Sequence, residues 1–400
     1  MLEEDFEFLN SKTWLKYTQE RYVPVDDIKY RLEKLGIHSS EWEELKVKIL
    51  KLRKLNSVPL FINTLDKKFW YFPSDSIQKK ISRIEHLGNK AYERIQSKTV
   101  FKNKFLANAR IEEAITSAIY EGANSTRAKA KQFIADDKEP QNKDEWMLLN
   151  SYRAMNWIKE HSNQRVTHDL ILEIHQIVTK NTLEGDDSNF SGKYRDDDVM
   201  VGNHKGVHQS RVKPALDEAI DLVVNNKRFL HGLLKGIILH YFIGYIHPFF
   251  DGNGRTARAL FYFKCIKNDL KFVELLSISA YLKGHGKRYE KAFDLAIKYD
   301  LDITYFIDFC LESLIFALEK VDQKINYLLK IDGIKDKYNL NSNQVSLLQR
   351  LALNKFVGIT SEQHAKNIER SREPARQELK DLCHKGFLRE KKQGKKIRYF

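Results

Sequence analysis

Residues 247–258 read His-Pro-Phe-Phe-Asp-Gly-Asn-Gly-Arg-Thr-Ala-Arg, and this polar loop joins two helical patterns. Before the loop, residues 229–246 are apolar nearly all round, which predicts a buried central helix. Pro248 disfavours helical geometry at His247 and therefore ends that helix. After the loop, a second helical pattern begins at about Arg255 and runs to Asn268. The loop is thus expected to connect two central helices.

The loop has the residue types of an anion-binding site. Gly252 and Gly254 allow a tight turn whose backbone N–H groups point into one concavity. The helix that follows adds its unpaired N–H groups and the positive end of its dipole. Arg255 and Arg258 are three residues apart on the first helical turn, so both can lie beside a bound phosphate.

Two other residues of the loop can supply chemistry to that phosphate. Asp251 offers a hard oxygen ligand that suits Mg²⁺, and His247 can take a proton from an incoming hydroxyl. The loop therefore predicts phosphoryl or nucleotidyl transfer, in which positioning and charge neutralisation supply most of the catalysis. A Walker-type phosphate loop is absent from the sequence, because the stretch 284–287 (Gly-His-Gly-Lys) lacks the distal glycine and the Ser or Thr. We expect a turn at 284–287.

At every fixed position these twelve residues match H-x-F-x-[DE]-G-N-G-R-x-x-R, so the chain resembles the Fic family over roughly residues 100–330. The resemblance implies a compact all-helical core that transfers AMP from ATP to a Ser, Thr or Tyr hydroxyl of a target protein. It implies that His247 deprotonates the hydroxyl for attack on the α-phosphate and that Asp251 holds Mg²⁺. The resemblance also assigns nucleotide binding to a set of residues: Gly252, Asn253, Gly254, Arg255, Thr256, Ala257, Arg258, Gly284 and Tyr289.

In Fic enzymes a flap before the central helix aligns the target segment by strand-like pairing. Here residues 192–208, which begin Gly-Lys-Tyr-Arg, occupy that place and predict a small β-hairpin. The chain departs from the family further on, where Tyr289 is followed by Glu290 instead of a second Tyr. Ile297 stands where the family often has an Asn near the base. The resemblance therefore leaves open whether adenine, another nucleotide or another phosphate-linked group is used.

A second, looser pattern lies upstream, where residues 117–122 (Ser-Ala-Ile-Tyr-Glu-Gly) fit the [ST]-x-x-x-E-[GN] inhibitory-helix motif of many Fic proteins. Apolar spacing predicts a helix over 105–122 that ends at Gly122. Ser117 and Glu121 are four residues apart on one face, and a carboxylate at a helix C-terminus needs a cationic partner or solvent. The resemblance implies that Glu121 pairs with Arg258, occupies the place of the γ-phosphate and inhibits the enzyme. In some Fic proteins this Glu also positions the water that removes AMP from the target.

The C-terminal end carries half of the net charge of the chain. Residues 364–400 contain 12 Lys and Arg against five acidic residues, which gives +7 of a total of +14. Such a surplus favours polyanions, nucleic acid first. Residues 338–400 show three helical patterns and two short strand patterns, at 387–389 and 396–400, on either side of Gln393-Gly394. They resemble a winged helix with Arg372 and Arg376 near the start of the recognition helix. DNA binding and a docking or dimerisation role are equally compatible with this pattern.

Composition limits the class of protein. The chain has 400 residues, 42% of them hydrophobic, and a mean hydropathy of −0.52, which is typical of a soluble protein with a packed core. We find no apolar run of about 18 residues, and the acidic start Met-Leu-Glu-Glu-Asp is unlike a signal peptide. The three cysteines have no C-x-x-C spacing, which excludes a disulfide scaffold and a zinc ribbon and favours a cytoplasmic location.

We expect a mainly α fold in three parts: an N-terminal helical region with one strand pair at 1–95, a Fic domain at 96–330 and a winged-helix domain at 338–400. The predicted strands are 58–62 and 69–72, and residues 330–343 are a candidate linker.

Two functions from different classes fit this organisation. The first is an autoinhibited AMP transferase that uses ATP and Mg²⁺ and modifies target proteins, including itself. The second is a DNA-binding regulator whose Fic core senses nucleotide. The intact His247 favours the transferase, because a sensor needs no general base. Removal of AMP, or transfer of another nucleotide, is the alternative within the enzyme class. The resemblance also implies a homodimer, since Fic proteins with an N-terminal inhibitory helix are often dimers.

Overall fold

The computed structural model of the chain describes residues 3–31, 36–97, 99–135, 139–202, 204–225, 228–335, 337–353, 358–393 and 396–400. Within these ranges the chain is mostly helical with a few short strands, which confirms the expected fold class. Two compact units divide the chain. The first comprises Met1–Tyr92 and Ala109–Leu318, and the second comprises Glu93–Asn108 and Glu319–Phe400.

The first unit opens with short helices and a β-hairpin around an aromatic core that includes Trp14, Tyr17 and Trp42. Its first strand has the predicted bounds, whereas its second strand begins two residues before the predicted residue 69. The reason is the connection, which is a single 3-10 turn closed by Asp66 in the left-handed conformation (φ 53°). The elements are α1 (Glu3–Leu9), α2 (Lys12–Trp14), α3 (Val25–Ile28), α4 (Trp42–Leu55), β1 (Val58–Ile62) and β2 (Lys67–Tyr71).

The helices that build the site follow. Their centre is the pair formed by the two helices on either side of the loop, and the first of these is buried nearly all round, as its apolar sequence requires. The elements are α5 (Asp75–Gln96), α6 (Thr99–Tyr120), α7 (Arg127–Ala135), α8 (Lys143–His161), α9 (His168–Thr179), β3 (Met200–Val201), β4 (His204–Lys205), α10 (Gln209–Val224), α11 (Gly232–Ile246), α12 (Asn253–Lys267), α13 (Ser279–Lys298) and α14 (Thr304–Ile334). Helices α5, α6 and α14 each contribute residues to both units.

Several predicted boundaries in this region were wrong. Helix α6 begins at Thr99, before the predicted residue 105, and ends at Tyr120, where Gly122 takes a φ of 101° just beyond the helix. The turn expected at 284–287 is a kink inside α13, where His285 alone has non-helical angles. Helix α14 continues to Ile334, so the first residues of the candidate linker at 330–343 are helical.

The second unit ends with three helices and a β-hairpin. These are α15 (Ser342–Leu353), α16 (Ser361–Asn367), α17 (Arg372–His384), β5 (Glu390–Gln393) and β6 (Lys396–Tyr399). Thr360 and Gln363 form a capping box at the start of α16, and Ile359 forms a bridge to Tyr399 of β6. The first strand lies after the Phe-Leu-Arg stretch (387–389) in which it was expected, and Gly394 of the predicted turn lies outside the described residues.

Two further properties concern the cysteines and the apolar character of the helices. All three cysteines are free thiols. Among the helices that the structure describes, none combines the length and the apolar character that crossing a membrane requires.

Candidate active site

The loop between α11 and α12 contains two residues in the left-handed conformation. His247 follows the last residue of α11 with a φ of 52°, and Gly252 precedes α12 with a φ of 80°. A Cβ atom at position 252 would lie 2.6 Å from Cγ2 of Thr179. Glycine is therefore required there for its backbone angles and for space.

The start of α12 presents unpaired backbone donors. The first backbone bond of the helix runs from the N–H of Thr256 to the carbonyl of Gly252 (2.9 Å). The N–H of Gly252 itself donates to Oδ1 of Asp251 (2.5 Å). The N–H groups of residues 253–255 precede the first helical bond and have no acceptor within the helix. Backbone donors of this kind at a helix N-terminus can bind an anion, which is what the glycines led us to expect here.

The His247 imidazole is held as a neutral base. Its Nδ1 lies 3.3 Å from the carbonyl of Gly244, which can only accept, so Nδ1 carries the proton and Nε2 keeps its lone pair. Burial lowers the pKa of His247 below its usual 6.5; the bond to Gly244 opposes this shift and the nearby Arg195 adds to it. The imidazole can therefore accept a proton near neutral pH.

The side chains of two other loop residues form hydrogen bonds that hold the loop in place. Arg255 is 2% exposed, donates through Nη1 to the carbonyl of Val178 (2.7 Å) and through Nη2 to Oδ2 of Asp251 (3.1 Å). Its Nε is buried without a partner, and burial lowers its pKa. Asn253 accepts from the N–H of Phe249 (3.0 Å) and donates to the carbonyl of Phe249 (2.7 Å). The Asn253 side chain, for which the resemblance implies a phosphate contact, instead closes the loop.

The structure brings Arg258 and the end of α6 together. Arg258, which is 1% exposed, donates through Nε (3.0 Å) and Nη2 (2.9 Å) to Oγ of Ser117. Its Nη2 also donates to Oε1 of Glu121 at 2.7 Å. Burial by itself would lower the pKa of Arg258, but the Glu121 carboxylate outweighs this and the pKa is raised. A Cβ at Gly254 would collide with that carboxylate, so Glu121 lies directly over the N-terminus of α12.

The other assigned nucleotide-binding residues lie in different settings. The hydroxyl of Tyr289 pairs with Nε2 of His240 (3.0 Å), and both side chains line a cavity of about 20 Å³ beside Arg258, enough for one water. Gly284 faces open space on α13. Thr256 and Ala257 are 0% and 1% exposed, so their side chains point into the core.

The flap segment also meets the loop, through residues that sequence reasoning did not single out as functional. Arg195, 3% exposed, donates through Nε to the carbonyl of His247 (2.8 Å). His175 on α9 contacts Asp251 and Gly192, and burial lowers its pKa to about 4. A histidine within an apolar helical pattern carries no signal that separates a structural from a functional role. Beyond this segment, β3 pairs with β4 as the predicted hairpin, and Asn203 at its turn lies outside the described residues.

Comparison with known proteins shows what this part of the chain is similar to. Residues 165–264 match the family model of the Fic/DOC family. "Protein adenylyltransferase Fic" of Aedes aegypti is 28% identical over 204 residues, which cover 46% of this chain and 39% of the relative. The protein of the same name from Nematostella vectensis is 35% identical over 101 residues, which cover 24% of this chain and 22% of the relative. The chain thus spans about two fifths or less of the length of these curated relatives.

Solved structures agree at the level of fold. A Fic family protein from Desulfovibrio desulfuricans matches with a TM-score of 0.52 at 16% identity, over 80% of this chain and 95% of that one. Fic-1 from C. elegans matches with a TM-score of 0.51 at 16% identity, over 80% of this chain and 86% of that one. The chain therefore has the fold of Fic proteins, and its residues 165–264 are similar to the Fic/DOC family model.

Proposed function

We propose that this chain is a self-inhibited transferase that moves AMP from ATP to a Ser, Thr or Tyr hydroxyl of a target protein. The observation that carries the proposal is the neutral imidazole of His247 beside the unpaired N–H groups at the start of α12. A base and an anion site next to each other are what nucleotidyl transfer to a hydroxyl needs. The names of the relatives, protein adenylyltransferase, support AMP as the transferred group.

Each of these groups has a role in the proposed reaction. Nε2 of His247 takes the proton of the target hydroxyl, and the resulting oxygen forms a bond to the α-phosphorus of ATP. The bond from that phosphorus to the bridging oxygen breaks, and pyrophosphate leaves. The N–H groups of residues 253–255 hold the phosphate oxygens while charge builds on them. The products are the AMP-modified protein and pyrophosphate, and His247 then releases its proton to water.

Mg²⁺ fits this site only together with a nucleotide. Among the described residues no cluster of three or more His, Cys, Asp or Glu side chains could hold a metal alone. Asp251 has a carboxylate that is 48% exposed at the edge of the anion site. Mg²⁺ is commonly held by one or two carboxylates plus substrate phosphates, so Asp251 would hold it and the ion would neutralise phosphate charge.

The proposed self-inhibition follows from the position of the Glu121 carboxylate. Its carboxylate occupies the space over Gly254 and holds Arg258, the cation that a terminal phosphate needs. A phosphate in the same place would meet a like charge and find no free guanidinium. ATP would then bind in a pose that is unfit for transfer until Glu121 moves away.

The test compares wild type, Glu121→Gly and Glu121→Gly/His247→Ala, each incubated with Mg²⁺ and ATP labelled on the α-phosphate. We expect label on the Glu121→Gly protein, little on wild type and none on the double variant. If none of the three proteins becomes labelled, also with labelled UTP, CTP and GTP, this would contradict self-modification and favour AMP removal from a modified protein. The predicted homodimer is measured separately, by sedimentation velocity.

A second candidate function concerns the C-terminal unit, for which we propose a winged helix that binds DNA. Two of the three acidic residues of α17 are paired within the unit: Glu378 pairs with Nε2 of His364 (2.8 Å), and Asp381 pairs with Nζ of Lys385 (2.6 Å). The opposite side of α17 exposes Arg376 and Lys380, and all four residues of β5 are exposed. Helix and hairpin therefore offer cations to a phosphate backbone.

The two arginines assigned to DNA contact differ. Arg372 has a side chain that is 67% exposed and lies 3.4 Å from Glu362, so it is partly neutralised. Arg376 is exposed, and its guanidinium bonds Tyr399. Glu373 is an exposed acid on the same helix. We therefore place the main phosphate contacts on Arg376 and on the lysines of β5, Lys391 and Lys392.

Fluorescence anisotropy with a labelled duplex of about 20 base pairs, titrated with salt, tests this function. We expect Arg376→Ala/Lys392→Ala to weaken binding and to reduce the slope of log affinity against log salt by about 2. The matched control, Lys51→Ala/Lys68→Ala, removes two exposed lysines of the first unit and should leave the slope unchanged. Equal loss in both variants would contradict a specific DNA face and favour protein docking.

A further inference from the structure

Helix α9 carries two histidines on the face that meets the flap segment. His168 and His175 are seven residues apart, which is close to two helical turns, so both point the same way. Each contacts the segment Gly192–Arg195 at alternate residues: His175 contacts Gly192 and His168 contacts Tyr194.

The tautomer of His175 follows from its partners. The N–H of Gly192 donates to Nδ1 of His175 (3.0 Å), and an amide N–H can only donate. Nε2 of His175 therefore carries the ring proton and donates it to the carbonyl of Asp251 (3.0 Å). The ring also stacks on Phe249, with centroids 3.6 Å apart and planes within 4°. One imidazole thus holds the flap segment, the loop carbonyl and a loop ring together.

His168 holds the next alternate residue of the segment. Its Nε2 lies 2.6 Å from Oδ1 of Asp217, and its Nδ1 lies 2.7 Å from the hydroxyl of Tyr194. A neutral ring whose Nε2 donates to Asp217 accepts the Tyr194 proton at Nδ1. The Tyr194 ring in turn stacks on Phe249, with centroids 5.5 Å apart. The segment is therefore held through both the hydroxyl and the ring of Tyr194.

The segment ends in the arginine that holds the base. Arg195 donates through Nε to the carbonyl of His247 (2.8 Å), and its backbone N–H donates to the carbonyl of Pro248 (3.0 Å). These two bonds restrain the backbone of His247 in the left-handed conformation, which L-residues adopt at a cost. Movement of the segment would therefore move the imidazole.

We propose that His168 and His175 are positioning residues that place the His247 imidazole, by clamping the Gly192–Arg195 segment and the Asp251 carbonyl onto α9. The inference rests on the proposed transferase function, because His247 is the base only in that reaction. Neither histidine touches substrate in this arrangement, so both act through Arg195 and Asp251.

The test uses substitutions at position 175 in the active Glu121→Gly protein. His175→Phe keeps the stacking on Phe249 and loses both hydrogen bonds. His175→Asn can keep an acceptor near Nδ1, and His175→Gln can keep a donor near Nε2. The matched control is His161→Phe, since His161 also stacks on a ring and donates through Nδ1 to a backbone carbonyl, but on α8.

We expect His175→Phe to lower kcat for AMP transfer by about tenfold to 100-fold, with KM for ATP changed less than about twofold, because base placement is lost while the N–H groups of α12 remain. His175→Asn or His175→Gln should recover part of kcat, and His168→Phe should lower it in the same manner. His161→Phe should leave both constants unchanged. An unchanged kcat in His175→Phe, or equal losses in kcat and melting temperature in His161→Phe, would overturn the proposal.

A second readout does not depend on transferase activity. NMR titration of the His247 imidazole reports its burial, which the clamp maintains. We expect His175→Phe to raise the pKa of His247 toward the ordinary value, because the loosened loop admits water. If Glu121→Gly transfers no label yet the His247 titration still shifts, the function fails and the positioning stands. An unshifted titration refutes the positioning whether or not transfer occurs.

Discussion

Replacing Glu121 by Gln separates charge from shape at the contact with Arg258 that we propose to be inhibitory. The amide has the size of the carboxylate and can still accept one hydrogen bond from Arg258, but it carries no charge. If Glu121 inhibits by holding Arg258 electrostatically, Glu121→Gln should release much of the activity. If it inhibits by filling the space over Gly254, Glu121→Gln should stay inhibited and Glu121→Gly alone should be active.

The geometry gives the size of the effect. The two side chains are 2.7 Å apart at their nearest atoms, and they are 1% and 23% exposed, so water screens the pair only in part. Two unit charges about 4 Å apart attract by about 4 kcal/mol at an effective dielectric constant of ~20. The hydrogen bond that remains to Gln is worth about 1.5 kcal/mol. The difference of about 2.5 kcal/mol corresponds to a ~70-fold larger fraction of molecules in which Arg258 is free.

Initial rates of label transfer from α-labelled ATP, at saturating Mg²⁺, measure this fraction. We expect Glu121→Gln to exceed wild type by about 70-fold and Glu121→Gly to reach at least the same rate. Glu160→Gln, which removes an exposed carboxylate on α8, is the charge-matched control and should equal wild type. A Glu121→Gln rate equal to wild type beside an active Glu121→Gly would refute the electrostatic argument and leave a steric one.

Three further predictions concern the base, the loop and the core. Because the pKa of His247 is lowered below 6.5, transfer by Glu121→Gly should be flat above about pH 7 and fall only at lower pH, as a pH–rate profile measures. Gly252→Ala should lower the free energy of unfolding by about 2–5 kcal/mol in urea titrations, from strain and overpacking, and Thr179→Ala should recover about 1–3 kcal/mol of it. Burial raises the pKa of Asp302 to about 6, so the folded state holds a proton that an unfolded Asp releases near 3.8. The contribution of Asp302 to stability therefore falls as pH rises between those values, and Asp302→Asn should remove that part of the pH dependence; an identical dependence in both proteins would contradict the assignment.

Much of the fold could be predicted from local sequence. The apolar run before Pro248 was sufficient to predict α11, because a helix that is hydrophobic on every side has no alternative to burial. Helix starts carry Ser, Thr and Asn caps, such as Thr167 before α9, which are local features because their side chains satisfy N–H groups within three residues. Helix ends were less predictable: α14 runs on through polar residues to Ile334, and no proline in the sequence that follows marks its end.

Long-range contacts could not be predicted from local sequence. The kink at His285 is surrounded by an otherwise helical pattern, and the two bonds of Asn253 to Phe249 depend on how the loop closes in space. The role of Asp217 could not be read either, since its partner His168 lies 49 residues away in sequence. Side-chain pairing over such separations depends on packing, which no local pattern specifies.

The sequence by itself determined the chemistry of the loop, because residues 247–258 place a base, a carboxylate, two glycines and two arginines within one turn and the start of one helix. Only the tertiary structure decided which of these groups are available. It buries Arg255 against Val178 and Asp251, pairs Arg258 with Glu121 across 137 residues of sequence and leaves Nε2 of His247 with its lone pair. The physical reason is that residue type sets what a side chain can donate or accept, whereas the neighbours that folding brings to it set whether that capacity is already used.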